Sequence, residues 1–328
     1  MKLHEFLNCH WYASKRTWFA ILMMPFAWLF SLVAIVRRWC YQNKILPSHR
    51  FDVPVIVVGN ITVGGTGKTP LVIALFHYLK NAGYKPGIVS RGYKGQIKKP
   101  YWVTMDSDPR IVGDEALLLA RRTDAPVVVF RDRVVAIESL LQDTDCDLII
   151  SDDGLQHYRM QRDVEIVVID GQRGLGNVCL LPAGPLREPK KRLDSVDVIV
   201  AREKDFSKAD FIMKIKNKAL INVADRSKSV SLDLFKDQTV HAVAGIGYPK
   251  RFFDMLSSKG LHVIPHAFAD HHAFVESDLN FDDSYPIIMT EKDAVKCEGF
   301  AKANQWYLPI EAEIDDKFFN LVLKKTKF

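Results

Sequence analysis

From residue 53 onward the chain alternates short apolar runs with stretches of helical spacing. "VPVIVV" (53–58) is uninterrupted apolar sequence ahead of a glycine-rich turn, and "LVIALFHYLKNAG" (71–83) repeats its apolar positions at helical spacing up to a glycine stop. "GIVS" (87–90), "PVVVF" (126–130), "DLIIS" (147–151), "EIVVID" (165–170) and "DVIVA" (197–201) continue the series. Strands that are apolar at nearly every position must be covered on both faces. The pattern therefore predicts an α/β fold with a parallel sheet sandwiched between helices.

Between about 204 and 236 the pattern turns polar and alternating, as in "FIMKIKNKALINVADRSKSVSLDLF" (211–235), which suits a pair of exposed strands bridging two units. Strand and helix then alternate again through "VHAVAGI" (240–246), "PKRFFDMLSSKG" (249–260), "LHVIP" (261–265), "PIIMT" (286–290) and "WYLPIEAEI" (306–314), ending on the helix "DDKFFNLVLKK" (315–325). The sequence thus divides into an N-terminal segment 1–50, a larger unit 51–204, a two-stranded linker 205–238 and a smaller α/β unit 239–328.

The N-terminal segment has a different character. "WFAILMMPFAWLFSLVAIV" (18–36) is an uncharged run about as long as a hydrocarbon core is thick, flanked by Lys15-Arg16 and Arg37-Arg38, with Trp18 and Trp39 near its ends. Residues 1–50 hold seven Lys and Arg against Glu5 alone, so the whole net charge of +6 sits there. A basic excess confined to one end favours an anionic membrane surface over nucleic acid. The pattern leaves open whether the helix spans the membrane or lies in its interface. Five cysteines at scattered spacings argue against a zinc or disulfide framework and favour a reducing compartment.

The chemistry gathers around "VGNITVGGTGKTP" (58–70), which sits where a phosphate-binding loop belongs, after a buried strand and before a helix. Thr62 occupies the position usually held by the first glycine. The backbone N–H groups and the helix start hold the phosphates, so the loop formed by Gly64, Gly65, Thr66, Gly67, Lys68 and Thr69 keeps its function, with Lys68 on the phosphates and the Thr69 hydroxyl on Mg²⁺. Asp152 and Asp153 follow an apolar strand, as the second metal anchor of such sites does. Asp114 heads an apolar helix, and by itself reads equally as a helix cap. Arg133 and the neighbours Arg187 and Glu188 read by default as surface charges. In "FADHHAF" (268–274) the adjacent histidines lack metal-ligand spacing, so an acid/base or binding role fits better.

Taken together, GN-x₃-GGTGKTP, SRGY, GDE, DDG-x-QH, LPAGPLREP, DHH and TEKDAVK, in this order behind a hydrophobic helix, resemble the tetraacyldisaccharide 4'-kinase family of lipid A biosynthesis over nearly the whole chain. The resemblance implies a P-loop NTPase-like α/β/α sandwich with a second, smaller α/β/α domain. It also implies ATP and Mg²⁺ as cofactors, and transfer of the γ-phosphate to the 4'-hydroxyl of tetraacyldisaccharide 1-phosphate, giving lipid IVA, at the cytoplasmic face of the inner membrane. Carried over by motif, Thr69, Asp152, Asp153 and Glu188 surround the metal, and Asp114 with His271 activates the acceptor hydroxyl. Arg133 neutralises transition-state charge, and Arg91 and His157 contact substrate or phosphate. No obligatory protein partner is evident. The role of residues 290–296 stays open between lining the nucleotide cleft and capping a helix.

A competing reading is a membrane-associated P-loop NTPase switch of the partitioning or positioning type. Loops of that kind open with an extra lysine, where this chain has Val63. A membrane-anchored binding module is disfavoured because Lys68, Thr69 and both aspartates are present.

Overall fold

In the computed structural model, which describes residues 3–13, 15–92, 97–217 and 219–326, the strands fall into two sheets. Tyr93 of the SRGY motif and the three residues after it lie outside the described residues. The larger sheet contains β1 (Val55–Gly59), β2 (Pro86–Ser90), β3 (Tyr101–Val103), β4 (Val127–Val129), β5 (Leu148–Asp152), β6 (Val164–Asp170), β7 (Val198–Arg202) and β8 (Phe211–Asn217). The smaller contains β9 (Leu220–Asn222), β10 (Ser229–Val230), β11 (Thr239–Ala244), β12 (His262–Ala267), β13 (Ile287–Thr290) and β14 (Gln305–Leu308), after which β15 (Ile310–Glu313) returns to the larger sheet. Two helices, α1 (Leu3–Trp11) and α2 (Trp18–Gln42), precede the sheets. Then come α3 (Lys68–Asn81), α4 (Pro109–Val112), α5 (Asp114–Thr123) and α6 (Arg133–Asp143) in the larger unit, α7 (Pro249–Ser258) and α8 (Glu291–Cys297) in the smaller, and α9 (Asp316–Thr326) at the end.

The larger sheet runs β15-β8-β7-β6-β1-β5-β2-β4-β3, with every neighbouring pair parallel except β15 with β8 and β3 with β4 at the two edges. Its apolar strands are buried on both faces, as their composition requires. Ile56 and Val58 of β1 point into the layer made by α3, α5 and α9, while Val55 and Val57 point into the layer made by α6. β1 lies between β6 and β5, and Val58 is paired in register with Asp152. The start of α3 and the end of β5 therefore emerge side by side at the carboxyl edge, where open α/β sheets bind ligands.

The strand pairing departs from the sequence-based boundaries in two places. The segment expected as a linker is divided, with β8 closing the larger sheet and β9 and β10 joining the smaller. "WYLPIEAEI", expected as one strand, is two. Pro309 has no N–H for a ladder, so the chain breaks between β14 and β15, and β15 pairs antiparallel with β8. The final helix then packs on the larger unit, where Phe318, Phe319 and Val322 are buried in its core.

This return generates a prediction. Phe318 is fully buried, its ring 5.6 Å from Phe211 and 5.1 Å from Phe319, so Phe318→Ala should cost about 3–5 kcal/mol in urea unfolding. Native-state hydrogen exchange should accelerate in β6 to β8. If exchange accelerates instead in β11 to β13, the C-terminal helix stabilises the smaller unit.

Candidate active site

The 62–67 loop is shaped by residues on both sides of it. Thr62 forms an extended bridge with Leu186, and the Val63 N–H donates to Pro185 O at 2.8 Å. An extended residue needs no glycine, which accounts for Thr62. Gly64 and Gly67, by contrast, have φ of +103° and +99°, a region L-residues with a Cβ rarely adopt. Asn60, fully buried, donates through Nδ2 to Gly64 O and to the Thr66 hydroxyl, both at 3.3 Å. The LPAGPLREP motif is thus the outer wall of the loop, and Asn60 is its inner brace.

Lys68 and Thr69, both buried, open α3. Lys68 Nζ lies 3.3 Å from Asp153 Oδ1, and Arg187 Nη1 donates to both Asp153 oxygens at 3.1 Å. Burial pushes the Asp153 pKa up, but Lys68 and Arg187 override it and hold the carboxyl well below the usual range. Asp152 beside it behaves oppositely. Burial first, and then the Glu115 carboxylate, push it up to about 7, and its Oδ1 is buried without a hydrogen-bond partner. Such an orphaned oxygen is a natural first ligand for a divalent cation. Among the described residues no group of three or more His, Cys, Asp or Glu could hold a metal alone, whereas Mg²⁺ needs only one or two carboxylates plus substrate phosphates. Asp152, Asp153 and Thr69 fit that requirement.

Asp114 and His271 meet although 157 positions separate them. His271 Nδ1 is 3.0 Å from both Asp114 oxygens, and its Nε2 is 3.9 Å from Asp270 Oδ1. The hydrogen bond to Asp114 raises the imidazole pKa above its ordinary value, although burial opposes it. Asp114 is itself buried, but Lys292, His271 and Lys296 outweigh the desolvation and keep its pKa low. His272 instead bonds Asp278 at 2.9 Å and packs between Phe268 and Phe274.

A cleft of about 730 Å³ between the two sheets is lined by Lys68, Thr69, Glu115, Asp153, Arg187 and His271, among others. The loop and His271, with Asp114 bonded to its far side, therefore open on one space. Residues 290–296 contribute to both roles that the sequence left open. Thr290 caps α8 through the Asp293 N–H, and Thr290, Glu291 and Lys292 line the cleft. Lys292 pairs with Glu115, Glu291 with Arg122 at 2.7 Å, and buried Asp293 accepts the Gly245 N–H at 2.8 Å. Glu115, Asn60, Arg187 and Lys292 were not singled out as site residues. Their position next to Asp114, Gly59, Glu188 and Glu291 in the motifs was the available signal.

Other sequence candidates sit apart from the loop. Arg133 is no solvated charge: it is 3% exposed and donates to the carbonyls of Asp152 and Asp153 at 3.3 Å, and burial lowers its pKa to about 10. Glu188 is likewise buried rather than at the surface. Its oxygens accept from Gln156, at 2.8 Å, and from Tyr158, with Arg192 at 3.2 Å. These donors occupy the carboxylate that motif transfer places beside the metal. His157 faces Asp132 and accepts the Arg133 N–H at 3.3 Å; burial and then Arg133 push its pKa down to about 4, so it is neutral. Arg91 is exposed just past β2.

Known proteins resemble this chain over nearly its full length. The family model for LpxK, tetraacyldisaccharide-1-P 4'-kinase, matches residues 19–327. A tetraacyldisaccharide 4'-kinase of Methylobacillus flagellatus is 47% identical over 322 residues, covering 98% of this chain and 96% of that one. One from Pasteurella multocida is 49% identical over 308 residues, 93% of each. A crystal structure of LpxK from Aquifex aeolicus in complex with ATP superposes with a TM-score of 0.80 at 29% identity, over 94% of this chain and 99% of that one. By sequence and by fold, the chain belongs to the tetraacyldisaccharide-1-P 4'-kinase family.

Proposed function

We propose that this chain carries out the family's reaction in the cleft between its sheets, moving the γ-phosphate of ATP to the 4'-hydroxyl of tetraacyldisaccharide 1-phosphate. The observation that carries the assignment is the opening of the phosphate loop and of His271, held by Asp114, onto one cleft. The N–H groups of residues 64–69 hold the nucleotide phosphates, and Lys68, drawn from Asp153, neutralises their charge. Asp152, Asp153 and Thr69 would hold Mg²⁺, which would supply charge neutralisation at the transferring phosphoryl group. Arg133 holds the turn that carries both aspartates, and Arg187, bonded to Asp153, lines the cleft beside Lys68.

A sugar hydroxyl is a weak nucleophile and must lose its proton as the new bond forms. His271 takes that proton at Nε2, while Asp114 fixes the ring through Nδ1 and stabilises the imidazolium. The same carboxylate raises the imidazole pKa, so the base form appears only as pH rises past the ordinary histidine value.

The tetraacylated acceptor resides in a bilayer, since each buried methylene contributes about 0.8 kcal/mol. The apolar helix α2, with mean hydropathy 2.4 over its core window, supplies membrane affinity. We place it in the interfacial plane at the cytoplasmic face of the inner membrane. Ala20, Met23, Met24, Ala27, Ala34 and Arg38 form one covered stripe along the helix, with Ala27 against Cys179 and Ala183, and Arg37 and Arg38 bonded to Gln156 O and Ser195. Trp18, Leu22, Phe26, Leu29, Val33 and Trp39 face outward. A helix fastened to the folded body at its middle and far end lies along the surface.

Two measurements test this reading. In a pH profile of kcat, the acid limb should lie above about pH 6.5, and Asp114→Asn should move it to lower pH while lowering the plateau about 10²–10⁴-fold. A double Asp114→Asn, His271→Ala variant should lose little more than the worse single one; multiplicative losses would separate the two residues. For the helix, a variant retaining only the exposed Cys9 should react with a membrane-impermeant thiol reagent in inside-out vesicles and not in right-side-out ones. Labelling from the opposite face would mean that α2 spans the membrane.

A further inference from the structure

The cleft contains a cation that has no hydrogen-bond or ion-pair partner among the described residues. Arg202 ends β7, and its side chain crosses the phosphate loop at Gly67, where an added Cβ would lie 2.9 Å from Arg202 Cδ and 3.6 Å from Nε. Among the described residues the guanidinium makes no hydrogen bond and no ion pair, and Nε is buried unsatisfied. Both nearby carboxylates are engaged elsewhere. Asp170 pairs with Arg251 and accepts the N–H groups of Gln172 and Arg173, and Glu203 accepts the Ile215 N–H at 2.8 Å. Burial, and then the charge of Arg251, push the Arg202 pKa down to about 10. The guanidinium is half-buried, with Nε fully so, and a desolvated charge without a partner is costly until an anion arrives.

The second observation concerns the loop itself. The first N–H groups of a helix have no partner within the helix, and in this loop they are the phosphate donors. The first turn of α3 is Lys68, Thr69, Pro70 and Leu71, and Pro70 carries no N–H. The cradle is one donor short, at a position that opens on the same cleft as Arg202.

We propose that Arg202 is a nucleotide-phosphate contact, donating from its guanidinium to the oxygen that the proline leaves without an N–H. The contact falls on the phosphates common to ATP and ADP, because it replaces a donor at the helix start. A guanidinium suits this role, since it offers several N–H groups in a fixed fork. The inference rests on the proposed placement of the phosphates at residues 64–69.

The test measures Mg-ATP and Mg-ADP binding by calorimetry, and melting with and without nucleotide, for the wild type and for Lys68→Ala, Arg202→Met, Arg202→Lys and the double variant Pro70→Ala, Arg202→Met. Arg202→Met should weaken both nucleotides about 10–100-fold, the loss expected for one charge-assisted hydrogen bond. Its nucleotide-free melting temperature should equal or exceed that of the wild type, and its KM for the lipid acceptor should stay unchanged. Arg202→Lys should retain part of the affinity, and restoring the N–H in the double variant should regain part of what Arg202→Met loses. A lower nucleotide-free melting temperature with wild-type nucleotide affinity would make Arg202 structural and overturn the proposal. So would a loss confined to ATP, or a double variant no tighter than Arg202→Met. Full ATP affinity in Lys68→Ala would instead overturn the phosphate placement, which keeps the two failures distinct.

Discussion

Lys68 and Asp153 meet at 3.3 Å because β1 and β5 are parallel neighbours that end at one edge, and much of the cleft depends on this pair. A buried ammonium needs a counter-charge, and Asp153 supplies it until a phosphate can. The consequence reaches the next residue. Asp153 faces Lys68 and Arg187 and stays ionised, whereas Asp152 faces a dry environment and Glu115 and is pushed up to about 7. Two adjacent carboxyls on one turn thus hold protons differently, set by what each one faces.

Ion pairs cross between the two units. Arg122 pairs with Glu291, Arg121 with Glu298, Lys292 with Glu115 and Arg251 with Asp170, a polar contact of the kind that lets units move relative to each other. The contacts that join the units also tune the chemistry. Lys292 is the largest influence lowering the Glu115 pKa and the main cation lowering that of Asp114, and Lys296, anchored on Asp293, adds to the latter. Asp114 therefore has its full electrostatic environment only when α8 lies against α5.

The N-terminal hairpin is tied into the same region. Tyr12 Oη donates to Val63 O of the phosphate loop at 3.4 Å, and Trp11 Nε1 donates to Pro182 O at 2.9 Å. Arg173 stacks over Tyr12 at 3.5 Å, bonds Asn8 and approaches Tyr248 of the smaller unit at 5.1 Å. The N-terminal hairpin, the loop and the second unit thus share one set of side chains.

The sequence by itself determined the local elements, because each is written in a short window: apolar runs for two-sided strands, helical spacing for α3 and α7, and Gly64 and Gly67 at the two positive-φ positions of the phosphate loop. It also determined the phosphate loop and the carboxylates at the end of β5, since strand, turn and helix start are contiguous there. Pairing across long separations was outside its reach. Only the tertiary structure decided that 310–326 return to the first sheet, because Pro309 marks a break without saying which edge the next strand joins. The same holds for charges. Arg133 and Glu188 look like surface residues in sequence and are buried in the fold, and Arg202 looks like any strand-end arginine until Asp170 and Glu203 are found committed elsewhere. Burial and partnership are properties of the assembled layers, and a side chain's chemistry depends on them as much as on its identity.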